Sequence, residues 1–204
     1  MKAAIIANGQ LTNYEFHKRV LKKVDVIIAA DGGSNHCKKL KIIPNYIIGD
    51  LDSVDEKTLL YFLKKGVIVI KDTDQNKTDL QLAIDLAKEI KTKEFILLGV
   101  ISTGIDHTLA NILCLQKLKN AKIIDDKNEI FYVNNKIEIT GKKGQIISVI
   151  SLTDVSGLTY SGLKWNVNNA FTKWGWSGIR NVMTGRKASI KLKKGDILVI
   201  KSGD

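Results

Sequence analysis

The 204-residue chain is short of several residue types that would settle its chemistry quickly. It has two cysteines, Cys37 and Cys114, too few for a disulfide scaffold. Both fall in helix-like stretches, so buried, reduced thiols in a cytoplasmic protein are the expectation. Its three histidines, His17, His36 and His107, are too scattered for a His-rich metal centre, and His36 reads as a helix-surface residue. No apolar run approaches the roughly 20 residues of a membrane span, so no membrane partner is expected. The apolar stretch Ala3–Ala7 stops at Asn8-Gly9, short of a secretory-signal core. Gly-x4-Gly-Lys-Ser/Thr and Gly-x-Gly-x-x-Gly are both missing, so the usual P-loop and dinucleotide fingerprints are absent. Gly-x-Ser-x-Gly and His-Glu-x-x-His are missing too, which removes the serine-hydrolase elbow and the zincin helix.

What is present is the composition of a soluble globular protein, 44% hydrophobic and 26% charged. The net charge of +11, from 32 basic and 21 acidic residues, invites a nucleic-acid reading. Its distribution points elsewhere. Residues 1–120 carry 18 basic and 14 acidic side chains, a net of +4, and residues 121–204 carry the remaining +7. The lysines fall largely at helix ends and turns, where a solvated face is the ordinary explanation, so no nucleic-acid partner is expected.

The shift in charge and glycine content divides the chain near residues 120–128, giving expected domains over 1–123 and 124–204. The first region alternates short, β-branched apolar runs with helical patterns: Ala3–Ala7, Val26–Ala30, Tyr46–Ile48, Val67–Ile70, Phe95–Leu98 and Ile123–Ile124 read as buried strands. Thr78–Ile90 reads as a helix with Leu80, Ala83, Ile84, Ala87 and Ile90 on one face, and the Thr78/Gln81 spacing is that of a capping box. Asp106–Leu118 reads as a second helix, capped by Asp106, with Leu109, Ile112 and Leu113 inward. Such alternation predicts an α/β layer on a mainly parallel sheet. In the second region Ile137–Ile139, Gln145–Ser151, Ala188–Leu192 and Ile197–Ile200 are short strands, and Lys142-Lys143-Gly144 and Lys193-Lys194-Gly195-Asp196 look like hairpin turns. A small antiparallel β-sandwich fits that pattern.

Ligands of open α/β sheets bind beyond the carboxyl ends of the strands. Four successive strands deliver carboxylates there: Asp31-Gly32-Gly33-Ser34-Asn35, Gly49-Asp50-Leu51-Asp52-Ser53, Asp72-Thr73-Asp74 leading to Thr78-Asp79, and Gly99 to Asp106-His107. Clustered carboxylates repel one another and call for a cation. Asp50 and Asp52 share a side in extended backbone, which suits Mg²⁺, an ion that joins carboxylates to substrate phosphates. Gly32-Gly33, the helix starts at Ser34, Thr78 and Asp106, and the Gly99–Gly104 loop would suit phosphate.

These blocks resemble those of the thiamine pyrophosphokinase family. The resemblance rests on Ala30–Asn35, Ile48–Ser53, Asp74–Asp79 and Asp106–Asn111, with Gly162-Leu163-Lys164-Trp165-Asn166 and Gly178-Ile179-Arg180-Asn181 toward the C-terminus. It implies an N-terminal Rossmann-like three-layer domain with a mainly parallel sheet, a C-terminal antiparallel β-sandwich that binds thiamine and dimerises, and a homodimer with sites between subunits. It implies transfer of pyrophosphate from ATP to the thiamine hydroxyl, giving AMP and thiamine diphosphate. By position, Asp50, Asp52 and Asp79 would hold Mg²⁺ and, with Asp106, form the catalytic set. Asp31, Gly32, Gly33, Asn35, Thr78, Ser102, Thr103 and His107 would bind ATP. Gln75 and Trp165 would face thiamine, with Asn181 nearby. The chain departs from the family pattern at Ser102-Thr103-Gly104, where Gly-Gly-Arg is usual, at Asn76, usually acidic, and at Arg180, usually serine. Alternatives left open are a pyrophosphokinase for another hydroxymethyl aromatic, such as a pterin, and an inactive thiamine- or nucleotide-binding homologue.

Overall fold

The computed structural model describes residues 1–74, 76–102 and 104–203; the expectations for Gln75 and Thr103 lie outside the described residues. The chain forms two compact units, Met1–Asp126 and Lys127–Asp204.

In the first unit the apolar runs pair as β1 (Lys2–Ile6), β2 (Val26–Ala30), β3 (Tyr46–Gly49), β4 (Ile68–Lys71), β5 (Glu94–Leu98) and β6 (Ala121–Ile124). Every pairing among them is parallel, in the order β6-β5-β1-β2-β3-β4. Parallel strands covered on both faces are apolar throughout, which is why these runs show no alternation. The helices are α1 (Tyr14–Leu21), α2 (Gly33–Leu40), α3 (Glu56–Lys64), α4 (Asp79–Glu89) and α5 (Ile105–Leu113). Ala4, Ile6, Ala29 and Ile47 pack with Leu21, Cys37, Leu40 and Phe62 from α1, α2 and α3. The opposite face meets α4, which packs on β1, β2 and β3 and buries Leu80, Ala83, Ile84 and Ala87. Full burial of a side chain such as Phe62 contributes about 2–3 kcal/mol. The order reverses at β1, which places a switch point between the carboxyl ends of β1 and β5.

The α4 capping box is present: Thr78 Oγ1 accepts from Gln81 N–H, and Gln81 Oε1 accepts from Thr78 N–H. The other expected helix differs. Gly104 is its N-cap, Asp106 sits in the first turn, and the α-helix ends at Leu113 before a 3₁₀ turn over Cys114–Lys117. Leu109 and Leu113 point outward, 58% and 37% exposed, beside Ile105 at 85%. The 3.6-residue period shows which residues share a face, but not that the face meets its own core. Cys114, Leu115 and Leu118 are buried in their place. Cys37 and Cys114 are both buried free thiols, and burial pushes the Cys37 thiol up to about 12. His36 is not a surface residue: it is half-buried with Nε2 2.8 Å from the Gly9 carbonyl, and desolvation lowers its pKa.

The second unit has two antiparallel sheets, β12-β9-β14-β7 and β11-β10-β13-β8. Their strands are β7 (Asn128–Val133), β8 (Lys136–Thr140), β9 (Ile146–Ser151), β10 (Val155–Ser161), β11 (Ala170–Thr172), β12 (Ser177–Val182), β13 (Lys187–Lys191) and β14 (Ile197–Ser202). Alternate residues of both sheets, among them Ile147, Val149, Val199, Leu158 and Ile190, meet in one core. The two lysine–glycine turns do occur, with Gly144 and Gly195 at positive φ. They are not hairpins, because β8 and β9, like β13 and β14, belong to different sheets. Trp174 lies in the turn between β11 and β12, which Trp176 N–H closes by donating to the Lys173 carbonyl. Trp174 is 75% exposed, and Trp176 packs against the core. Among the described residues no helix is long and apolar enough to cross a membrane.

Candidate active site

The carboxyl ends of the parallel strands open into a cavity of about 350 Å³ in the first unit. Three backbone features shape it. Beyond β1, Ala7 N–H and Gly9 N–H donate to the Leu98 and Gly99 carbonyls, which ties the ends of β1 and β5 together. Gly99 has φ +63°, and a Cβ there would stand 2.4 Å from the Ala7 carbonyl oxygen. Beyond β2, Gly33 opens α2 against β1 so closely that a Cβ would lie 1.9 Å from the Ile6 carbonyl oxygen. At the end of β3, Gly49 lies at φ +146°, and a Cβ there would come within 2.6 Å of Asp79 Oδ1 and 2.9 Å of Asp31 Cβ. That glycine is what lets Asp31 and Asp79 approach each other.

Asp31, Asp50 and Asp79 each direct a carboxylate oxygen to one place, with the three oxygens within 4.8 Å of one another. Asp31 is 2% exposed and itself held at φ 42°, an uncommon conformation for a non-glycine residue. Its Oδ2 accepts from Ser53 N–H at 3.1 Å, while its Oδ1 is buried without a hydrogen-bond partner. Desolvation pushes the Asp31 carboxyl above its ordinary value. Asp79, in the first turn of α4, is also raised, first by desolvation and then by Asp31 and Asp50. Burial is the main cause of both shifts, and like-charged neighbours add to that of Asp79 in particular.

Asp52 is not one of the three. Leu51 adopts φ 69°, so residues 50–52 are not extended and the two aspartates do not share a side. Asp52 is exposed and accepts a hydrogen bond from the Ser53 hydroxyl, although its charge still raises Asp79. Asp31, expected on the nucleotide, fills the third position instead. Asp72 and Asp74 line the same cavity, and Asp74 is held below its ordinary value by hydrogen bonds from Asn76.

Thr78, Ser102 and His107 line the cavity as expected, whereas Asp106 is exposed and not among the lining residues. The Thr78 hydroxyl already serves the α4 cap. Gly32, Gly33 and Asn35 act behind the surface. A Cβ at Gly32 would strike the Asn8 side chain at 2.4 Å, and Asn35 braces the 50–55 loop through Ser53 O and Asp55 N. Sequence reasoning missed Asn8, which follows β1 at the switch point, and Asn111, whose Nδ2 donates to the Val100 carbonyl. For Asn8 the signal was topological, since the strand order, not the local sequence, puts the end of β1 beside that of β5; Asn111 closes the Asp106–Asn111 block and was given no role there.

In the second unit Trp165 is 57% exposed, with Lys164 Nζ 4.7 Å from its ring centroid. Asn181 is buried and holds the Trp165 backbone from both sides. Its Oδ1 accepts from Trp165 N–H at 3.1 Å, and its Nδ2 donates to Trp165 O at 2.6 Å. Arg180 sits at φ 58° where the β9–β12 register shifts, with an exposed side chain.

Comparison with known proteins agrees with this arrangement. Residues 17–125 match the family model for the thiamin pyrophosphokinase catalytic domain, and residues 134–197 match that for the thiamin pyrophosphokinase vitamin B1 binding domain. Thiamine pyrophosphokinase of Bacillus subtilis is 29% identical over 186 residues, covering 87% of each chain. A local match to the Saccharomyces cerevisiae thiamine pyrophosphokinase is 38% identical over 77 residues, spanning 33% of this chain and 24% of that protein. The crystal structure of the Bacillus subtilis thiamine pyrophosphokinase superposes over 100% of both chains with a TM-score of 0.89 and 26% identity. With both family models matched in order along the chain, and a full-length relative and solved structure of the same enzyme beside them, the chain belongs to the thiamine pyrophosphokinase family and has that enzyme's function.

Proposed function

We propose that the cavity of the first unit binds ATP with Mg²⁺ and passes the β,γ-pyrophosphoryl group to the hydroxyl of thiamine. The observation that carries this reading is the convergence of Asp31, Asp50 and Asp79 at adjoining element ends, with Asp31 Oδ1 buried and unpartnered. The donor set fits the ion, being made of hard carboxylate oxygens whose repulsion a divalent cation relieves. Asp50 and Asp79 would hold it together with Asp31, and Asp52 adds negative charge just outside. When bound, Mg²⁺ supplies charge neutralisation for the polyphosphate.

The chain's own residues position the reactants. Asn8, Ser102 and His107 offer polar groups to the nucleotide around the switch-point crevice. Trp165 presents a flat face to the aminopyrimidine or the thiazolium, the latter by cation–π attraction. The thiamine hydroxyl oxygen bonds to the β-phosphorus while the bond from that phosphorus to the oxygen bridging the α-phosphorus breaks. AMP leaves with that electron pair, and the hydroxyl proton is released. Such transfers need alignment and charge neutralisation more than covalent help from the protein.

A homodimer belongs to the same reading. The outward stripe Ile105, Leu109 and Leu113 on α5 is an apolar face for a second copy to cover. The buried free thiols support a cytoplasmic setting. The deciding experiment incubates the chain with ATP, Mg²⁺ and thiamine and measures AMP and thiamine diphosphate together. Equal amounts of both are expected. ADP as the only nucleotide product, or turnover indifferent to thiamine, overturns the reading.

A further inference from the structure

The catalytic cavity has an unbalanced lining. Asp31, Asp50, Asp72, Asp74 and Asp79 supply five carboxylates, and no arginine is among the described residues that line it. The single lysine among those described residues is Lys77, just before the α4 cap. A triphosphate entering such a lining meets far more negative than positive charge. One divalent ion on the three converging carboxylates cannot offset both them and the phosphates. A cation of the chain's own lessens that imbalance, and among the described lining residues Lys77 provides one.

Lys77 also borders a second cavity of about 260 Å³, together with Gln81, Asp85, Lys88 and Lys117. Its ammonium is on that side, 2.9 Å from Asp85 Oδ2. Lys88 lies 3.9 Å from the other oxygen of the same carboxylate, so Asp85 keeps a cation nearby when Lys77 departs. The Lys77 and Asp85 side chains are 44% and 43% exposed, and ion pairs that open to water are weakly held. A lysine is a point charge on a flexible four-carbon stem, suited to exchanging one anion for another. Phosphate oxygens in a less hydrated cavity compete well for it.

We infer that Lys77 is a phosphate-contacting residue of this enzyme, parked on Asp85 in the free chain and transferred to the ATP polyphosphate on binding. The inference deepens the pyrophosphoryl-transfer reading and rests on it.

The test compares Lys77→Met, Lys77→Arg and Asp85→Asn with the parent chain in AMP release, in Mg²⁺–ATP binding by calorimetry, and in thermal melting. Lys77→Met should lose about tenfold in kcat/KM for ATP, the loss of a single charge-assisted contact, while KM for thiamine stays within roughly twofold. Lys77→Arg should recover most of that loss, because charge rather than shape is required. Asp85→Asn should bind ATP at least as tightly as the parent. An unchanged ATP constant in Lys77→Met overturns the inference, and so does a Lys77→Arg variant as impaired as Lys77→Met. Weaker ATP binding in Asp85→Asn overturns the parking role. If the parent chain releases no AMP, the functional reading fails by itself, and calorimetry with Mg²⁺–ATP still shows whether Lys77 holds phosphate.

Discussion

In the first unit the unfinished chemistry is polar and partly buried; in the second the large side chains left open are mostly aromatic. Asp31 is 2% exposed with an unpartnered oxygen and two carboxylate neighbours. Trp165, Phe171 and Trp174 are 57%, 60% and 75% exposed. The two arrangements have different energetic consequences. Crowded carboxylates destabilise the fold that holds them until a cation arrives. Exposed rings cost the fold little, because an exposed ring resembles its unfolded state. The first unit therefore reports ligand binding in its stability, and the second reports it mainly in affinity.

The largest expected effect breaks the scaffold that the first unit's polar edge requires. Gly33→Ala places a methyl 1.9 Å from the Ile6 carbonyl oxygen, against backbone at the end of the central strand β1. Neither β1 nor α2 can yield without dragging its neighbours, so a loss of roughly 3 kcal/mol or more is expected. Gly185→Ala in the second unit meets nothing within 4 Å and should stay within about 0.5 kcal/mol of the parent. Denaturant unfolding of the two variants measures the contrast. Equal stabilities would mean that the tight packing of α2 on β1 is not what fixes the site.

Asp79→Asn is next, and its two effects have opposite signs. Removing one of the three converging carboxylates should lower kcat by about 10³-fold. Removing the like charge should also raise the melting temperature of the metal-free chain at pH 7. The pH dependence follows from the same shifts. Asp31 and Asp79 are raised above the ordinary value of 3.8, so between that value and the raised ones the folded chain holds more protons than the unfolded chain. Stability from these groups is complete below about pH 4 and is lost as the pH rises through their folded values. Added Mg²⁺ should restore it near neutrality and lose its effect toward acid, where protons compete for the same oxygens. Thermal melts across pH, with and without Mg²⁺, check both parts. A metal-free Asp79→Asn variant that melts below the parent would contradict the electrostatic account.

The difference between the units also marks what could be read in advance. The parallel layer was legible because its strands are unbroken apolar runs and α4 announces its start with Thr78 and Gln81. The acidic edge was legible because β2, β3 and β4 are each followed directly by an aspartate, Asp31, Asp50 and Asp72. The identity of the third converging carboxylate was not. That depends on the positive φ of Asp31 and Leu51, and a non-glycine residue in that conformation leaves no mark in the sequence. The direction of α5 was hidden for a similar reason. Ile105, Leu109 and Leu113 have the spacing of a core face, and nothing local separates a stripe that meets its own core from one that meets solvent or a partner. In the sandwich the turns were visible but their partners were not, since a lysine–glycine turn serves a hairpin and a crossing between sheets equally well.

The smallest effect on the fold is expected at Trp165, where the comparison is sharpest. Trp165→Ala removes an exposed ring and its Lys164 contact, so melting should move by no more than the equivalent of about 1 kcal/mol. KM for thiamine should rise about tenfold, the worth of one desolvated cation–π or stacking contact, with KM for ATP unchanged. Asn181→Ala separates the ring from its support. The Asn181 amide is buried and satisfies both backbone polar groups of Trp165 as well as the Val182 N–H. Its loss leaves them unpaired and should cost about 2 kcal/mol of stability, with a rise in the thiamine KM because the ring is no longer held. The three variants should then fall in three places: Asp79→Asn more stable and inactive, Trp165→Ala equally stable and weak for thiamine, Asn181→Ala less stable and weak for thiamine. A Trp165→Ala chain with the parent's thiamine KM would assign the exposed ring to a protein contact, with the α5 stripe as the surface to test beside it. Sedimentation of Trp165→Ala and Leu109→Asp would show which of the two holds a second copy.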